Sequence, residues 1–249
     1  MVLTLVQARM RSTRFPGKVM EDLDGKPMVR HVLERAHRIT GQGTILVVPR
    51  RDTVDWPWPH IFRGDEEDVL QRFFDCVQIQ QKIGAGVTTI IRITADCPLL
   101  DVGVSRDVLN QFFAKGLGLA STSPRLDGLD TEVLTRDALQ LSVFAATRAE
   151  DREHVTAWFK RTRPWTSVDM GLTTHWSVDT PADLEFVRAV YRSCSACRDG
   201  VPHHTNAGSS IGGSDRHLVL DLHHVDDPSN RGGLIECTAA DLLHTRVTP

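Results

Sequence analysis

The strongest constraint on this chain is a run of buried-type strands separated by helix-patterned segments. Val2 to Gln7 is short and β-branched, and reads as a buried strand. Pro27 then opens PMVRHVLERAHRI, where Met28, Val32, Ala36 and Ile39 recur at helical spacing. Ile45 to Pro49 and His60 to Arg63 read as further strands. Asp65 to Lys82 reads as a helix with an acidic first turn, and Thr88 to Thr94 (TTIIRIT) as a strong strand. Alternation of this kind predicts an α/β layer with a mostly parallel central sheet flanked by helices.

The middle of the chain continues the pattern less regularly. Helices are expected over Val102 to Lys115, Arg136 to Ala146 and Ala149 to Lys160. Short strands are expected at Leu119 to Thr122, Thr131 to Leu134, Trp165 to Met170 and His175 to Val178. Thr180-Pro181 caps a helix reaching about Arg192. The texture then changes to Gly, Ser, His and Cys. The main domain is therefore set at 1–192 and the C-terminal extension at 193–249, with a strand at 217–225 and a short helix at 238–246.

Composition excludes several function classes. With 41% hydrophobic and 24% charged residues, the 249-residue chain is neither disordered nor fibrous. A net charge of -3 argues against wholesale nucleic-acid binding. Five cysteines, at 76, 97, 194, 197 and 237, do not form a secreted disulfide framework. No run approaches the roughly 18 apolar residues of a membrane span. The first residues also lack signal-peptide character, so a cytoplasmic protein is expected.

Three segments place chemistry where strands end, the edge at which open α/β sheets bind ligands. The first is ARMRSTRFPGK at 8–18. Arg9, Arg11, Arg14 and Lys18 put four cations within ten residues, and Gly17 permits a close backbone approach to phosphate. It reads as a phosphate loop or as a solvated basic loop, and it is not a Walker loop. The second is TADCPLLD at 94–101. Asp96 there is a Mg²⁺ carboxylate or a turn cap. The third is HWSVDTPADL at 175–184, where Asp179 is a second metal carboxylate or a helix cap. A nucleoside triphosphate with its metal accounts for all three together.

The chain resembles the sugar cytidylyltransferases, and the spore-coat polysaccharide branch more than the KDO and acylneuraminate enzymes. Segments 7–36, 63–75, 92–101, 127–139, 152–159 and 177–188 carry the likeness. The resemblance implies a Rossmann-like nucleotidyltransferase domain. It implies transfer of CMP from CTP to an acidic sugar or related small-molecule acceptor, with release of pyrophosphate and help from Mg²⁺. It places Arg9, Lys18 and Asp96 in catalysis, and Asp96 and Asp179 on the metal. Nucleotide binding falls to Ala8, Arg9, Ser12, Arg14, Lys18, Thr94, Arg63 and Asp65. Asp130, Glu132, Glu153 and His154 fall on the acceptor side. It further implies a homodimer with no nucleic-acid or membrane partner. Thr94-Ala95 stand where the KDO enzymes carry Gln-Gly, which puts a KDO substrate in doubt. Two other functions fit the same residues: a nucleotidyltransferase using another nucleotide or a non-sugar acceptor, and a catalytically silent nucleotide-binding module.

Other features carry less. Asp22-Leu23-Asp24 has a DxD form but precedes Gly25 and so reads as loop. Cys194, Cys197, His203 and His204 invite a zinc site without finger spacing. His154 serves as a base or as a helix residue satisfied by its neighbours. Trp56 and Trp58, set between prolines, read as a rigid surface turn.

Overall fold

The computed structural model describes residues 1–193. In chain order the elements are β1 (Val2–Gln7), β2 (Asp22–Leu23), β3 (Lys26–Pro27), α1 (Met28–Thr40), β4 (Thr44–Pro49), β5 (Ile61–Gly64), α2 (Val69–Lys82), β6 (Thr89–Thr94) and α3 (Val102–Lys115). Then come β7 (Leu119–Thr122), β8 (Leu126–Asp127), β9 (Thr131–Thr135), α4 (Arg136–Ala145), α5 (Ala149–Glu153), α6 (Ala157–Thr162), β10 (Thr166–Val168), β11 (Thr174–His175) and α7 (Pro181–Ser193). The expectations for 217–225, 238–246 and the Cys194, Cys197, His203 and His204 group lie outside the described residues.

Seven strands form one sheet in the order β10-β7-β9-β6-β1-β4-β5. Strand β9 alone in this sheet runs against its neighbours, β6 and β7; the other pairings are parallel. Side chains alternate across the strands and build two cores. Val6, Leu46, Val48, Ile91 and Ile93 face α1, α3 and α7. Leu3, Leu5, Ile45, Val47 and Ile90 face α2, α4 and α6. The expected stripe on α1 is the buried one: Met28, Val32, Ala36 and Ile39 all lie in the first core. Each such aliphatic side chain gains about 1.5–3 kcal/mol from leaving water.

Several expectations need correction. Helix α2 begins at Val69, four residues after Asp65. Asp68 caps it by accepting the Gln71 N–H at 2.8 Å, and Asp65 Oδ1 accepts the N–H groups of Glu67 and Asp68. The acids therefore build the turn before the helix. The segment 149–160 is two helices. It breaks at His154–Thr156, where Val155 is buried in the core and Thr156 Oγ1 donates to Glu132 at 2.6 Å. The segment 175–178 is mostly not a strand: Thr174–His175 pairs with β8, and Val178 turns away to donate its N–H to the Asp96 carbonyl at 2.8 Å. Trp56 is not on a surface turn. It is 4% exposed, and its Nε1 donates to the Asp52 carbonyl. Asp22-Leu23-Asp24 belongs to the small β2–β3 hairpin, with Asp24 and Gly25 at its turn.

Candidate active site

Strands β1 and β6 run side by side and end together, with Gln7 in register with Thr94. The basic loop leaves β1 and is tied down at three points. Ala8 donates its N–H to Val47, Met10 donates its N–H to Asp52 Oδ2 at 2.8 Å, and Gly17 donates its N–H to the Met10 carbonyl at 2.8 Å. Gly17 has φ 77, a left-handed conformation that disfavours any residue with a Cβ. Its N–H is already bonded within the loop, so its part is to close the turn rather than to donate to phosphate. A 3-10 turn follows at Lys18–Met20 and sends Lys18 inward.

The Lys18 side chain is 8% exposed. Its Nζ donates to Asp96 Oδ2 at 2.9 Å, to Asp179 Oδ1 at 3.0 Å and to the Val178 carbonyl at 2.6 Å. Arg14 reaches the other oxygen of Asp179 at 2.9 Å. Asp179 is itself held: Asp183 Oδ2 accepts the N–H groups of Asp179 and Thr180 at the start of α7. Burial pulls the Lys18 ammonium down, but Asp96 and Asp179 outweigh it and hold the group above its ordinary value. Burial likewise pushes Asp96 up, and the neighbouring Lys18 more than reverses that.

These groups face a cleft of about 790 Å³. Its lining brings together Ala8, Arg9, Ser12, Arg14 and Lys18 from the loop, Thr94 and Asp96 from the end of β6, and Asp179. Glu153 and His154 close the far side, with Arg9 Nη1 at 3.3 Å from Glu153 Oε1. His154 sits exposed at the helix break rather than inside a helix.

Other expected residues fall elsewhere. Arg63 and Asp65 do not line this cleft. Arg63 bonds the Asp52 carbonyl, so it braces the residue that holds Met10. Asp130 and Glu132 line a neighbouring cleft. Glu132 is buried among Arg92, Lys160 and Thr156, each at 2.6 Å. Burial would push its carboxyl up, yet Arg92 and Lys160 bring it down to about 2. Arg92 and Gln7 line the first cleft and were not singled out from sequence. The available signal was a lone charge in the otherwise apolar strand TTIIRIT.

The donor set suits a hard divalent cation. Asp96 and Asp179, from separate loops, converge on the Lys18 ammonium at 2.9 and 3.0 Å, and Mg²⁺ is commonly held by one or two carboxylates plus substrate phosphates. Among the described residues no group of three or more His, Cys, Asp or Glu stands ready as a metal cage. Phosphate oxygens would therefore supply the remaining ligands.

Residues 3–48, from β1 through the basic loop and α1 into β4, match a family model described as Cytidylyltransferase. Spore coat polysaccharide biosynthesis protein SpsF of Bacillus subtilis is 24% identical over 212 residues, 77% of this chain and 86% of that protein. Uncharacterized protein MJ1063 of Methanocaldococcus jannaschii is 29% identical over 165 residues, 63% of this chain and 66% of that one, a span just under two thirds of its length. Among solved structures, a cytidylyltransferase from Leptospira borgpetersenii superposes with a TM-score of 0.67 at 19% identity, covering 82% of this chain and 98% of that one. CMP:2-keto-3-deoxy-manno-octonic acid synthetase, complexed with CTP, does so with 0.57 at 20% identity, covering 77% and 98%. The fold is the Rossmann-like one shared with these solved structures. Among the described residues no helix is long and apolar enough to cross a membrane.

Proposed function

We propose that this cytidylyltransferase-like chain transfers CMP from CTP to a hydroxyl oxygen of a sugar-type acceptor and releases pyrophosphate, with help from Mg²⁺. The observation that carries the proposal is the convergence of Lys18, Asp96 and Asp179 from three separate loops onto one point beside Arg9 and Arg14. The names of the relatives point the same way, and that of SpsF adds a role in polysaccharide biosynthesis; a cytoplasmic setting and a homodimer belong to the same proposal.

The acceptor hydroxyl gives up its proton to water as its oxygen forms a bond to the α-phosphorus, the bond to the bridging oxygen breaks, and pyrophosphate leaves. Charge grows on the non-bridging and leaving oxygens, and fixed cations stabilise it most where water is excluded. Lys18 neutralises as a buried point charge. Arg9 and Arg14 are exposed and can each grip two phosphate oxygens. Asp96 and Asp179 would hold the Mg²⁺, whose contribution is charge neutralisation and alignment of the phosphates. A pyrophosphate-release screen across the four nucleoside triphosphates tests the proposal. Release with CTP alone supports it; release with another triphosphate, or CTP binding without release, overturns it.

A further inference from the structure

The second cleft borders the first and opens at the same edge of the sheet, where β7 ends and β9 begins. Cys97 stands between them, with Sγ 3.7 Å from Asp96 Oδ1 and 3.6 Å from Asp130 Oδ2. Arg92 and Glu132, directly opposed on β6 and β9, form the other shared wall. A molecule in the second cleft thus lies one thiol away from the carboxylate beside Lys18.

The charges of this cleft select what can enter. Among the described residues Lys160 is the one lysine or arginine in its lining, and its Nζ is already 2.6 Å from Glu132 and 5.2 Å from the centre of the Trp165 ring. Among the described residues Asp130 Oδ2 accepts from neutral donors, the Gly128 N–H at 3.0 Å and the Cys97 thiol. Asp127 is half-exposed, with His175 Nδ1 at 3.6 Å. Burial, with Asp127 and Glu132 nearby, pushes the Asp130 carboxyl up. Among the described residues of the lining, a carboxylate-bearing ligand would meet two further carboxylates and no guanidinium. An ammonium or hydroxyl would find acceptors on both.

We propose that the second cleft holds the acceptor and that this acceptor is a sugar carrying an amino group, with Asp127 and Asp130 receiving its N–H and O–H donors. The inference rests on the cytidylyltransferase reading, and it replaces the acidic sugar that the family resemblance implied.

The test compares pyrophosphate release from CTP and Mg²⁺ by the full chain with glucosamine, glucose, glucuronate and 2-keto-3-deoxy-manno-octonic acid. The expected kcat/KM order is amino, then neutral, then acidic, with at least about tenfold between the ends because like charges repel in the cleft. Asp127→Asn should shrink that ratio by roughly fivefold. Greater turnover of either acidic sugar overturns the inference while leaving the cytidylyltransferase reading intact. Binding of CTP, followed by calorimetry on the same protein, separates the two failures: no CTP binding counts against the function itself. Where CTP binds and no sugar turns over, binding of the four sugars to the CTP-loaded protein decides. Failure to bind glucosamine more tightly than glucuronate overturns the inference.

Discussion

Lys18 Nζ lies 2.9 Å from Asp96 Oδ2, although 78 residues separate the two in the chain. Asp179 joins them at 3.0 Å from α7's leading turn. Removing the ammonium leaves two carboxylates facing each other with only the exposed Arg14 nearby. Lys18→Ala should therefore lose at least about a thousandfold in kcat, the scale of losing a fixed transition-state cation, and about 2 kcal/mol of stability. Asp96→Asn should lose comparable activity at a smaller cost in stability, because the amide keeps an acceptor for Lys18. Pyrophosphate release and thermal unfolding of both variants check this. Near-normal release by either one would remove these residues from the reaction.

Glu132 gives the fold an acid-sensitive joint. Its carboxyl titrates near 2 in the folded chain against an ordinary value of 4.5. A depressed carboxyl stabilises above its ordinary value and loses that contribution as pH falls towards its folded value. The contribution is therefore full above about pH 4.5 and fades towards pH 2; a shift of that size corresponds to roughly 3 kcal/mol. Urea unfolding from pH 6 down to pH 2.5 should show a steep loss in the parent chain. Glu132→Gln should start lower and decline less. Parallel slopes for the two would show that the network of Arg92, Lys160 and Thr156 is not what depresses the carboxyl.

The sequence made the sheet legible because each strand of the first half announces itself by an apolar, β-branched run, and α1 by its stripe of Met28, Val32, Ala36 and Ile39. The cleft was legible in part for a related reason: the loop carrying Lys18 leaves β1 and Asp96 follows β6, at the edge the topology aligns, whereas Asp179 follows a segment that is mostly not a strand. What failed was decided by tertiary partners. Val155 and Thr156 break a helix-like segment because the core and Glu132 claim their side chains. Trp56 leaves the surface because Asp52 offers its indole an acceptor. Arg92 escaped notice because a strand charge has no meaning until β9 brings Glu132 opposite it.

Gly128 fixes how the loop carrying Asp130 meets the segment leading to Asp179. It has φ +89, and a Cβ there would come within 2.5 Å of the Trp176 carbonyl carbon and 2.6 Å of the Ser177 nitrogen. Both neighbours are backbone and cannot rotate away. Gly128→Ala should cost about 2–3 kcal/mol from steric clash and left-handed strain together. Calorimetric melting reads the loss directly. An unchanged melting temperature would show that the two segments part freely.

Asp52 connects the core to the nucleotide-side loop without touching the cleft. It is 6% exposed, and its Oδ2 accepts the Met10 N–H at 2.8 Å. Its backbone carbonyl meanwhile accepts Trp56 Nε1 and Arg63 Nη1, so the residue is held from both sides. Asp52→Ala leaves the Met10 N–H unsatisfied and frees the loop bearing Arg9 and Arg14. The cost of an unpaired, partly buried donor is about 1–2 kcal/mol, which as loop disorder would raise the KM for CTP roughly tenfold. The Lys18 cluster is untouched, so kcat should fall less than KM rises. Asp52→Asn retains an oxygen for Met10 and should restore most of the affinity. Steady-state kinetics with varied CTP distinguish the outcomes. A KM that stays at the parent value in Asp52→Ala would mean the loop keeps its shape without this tether.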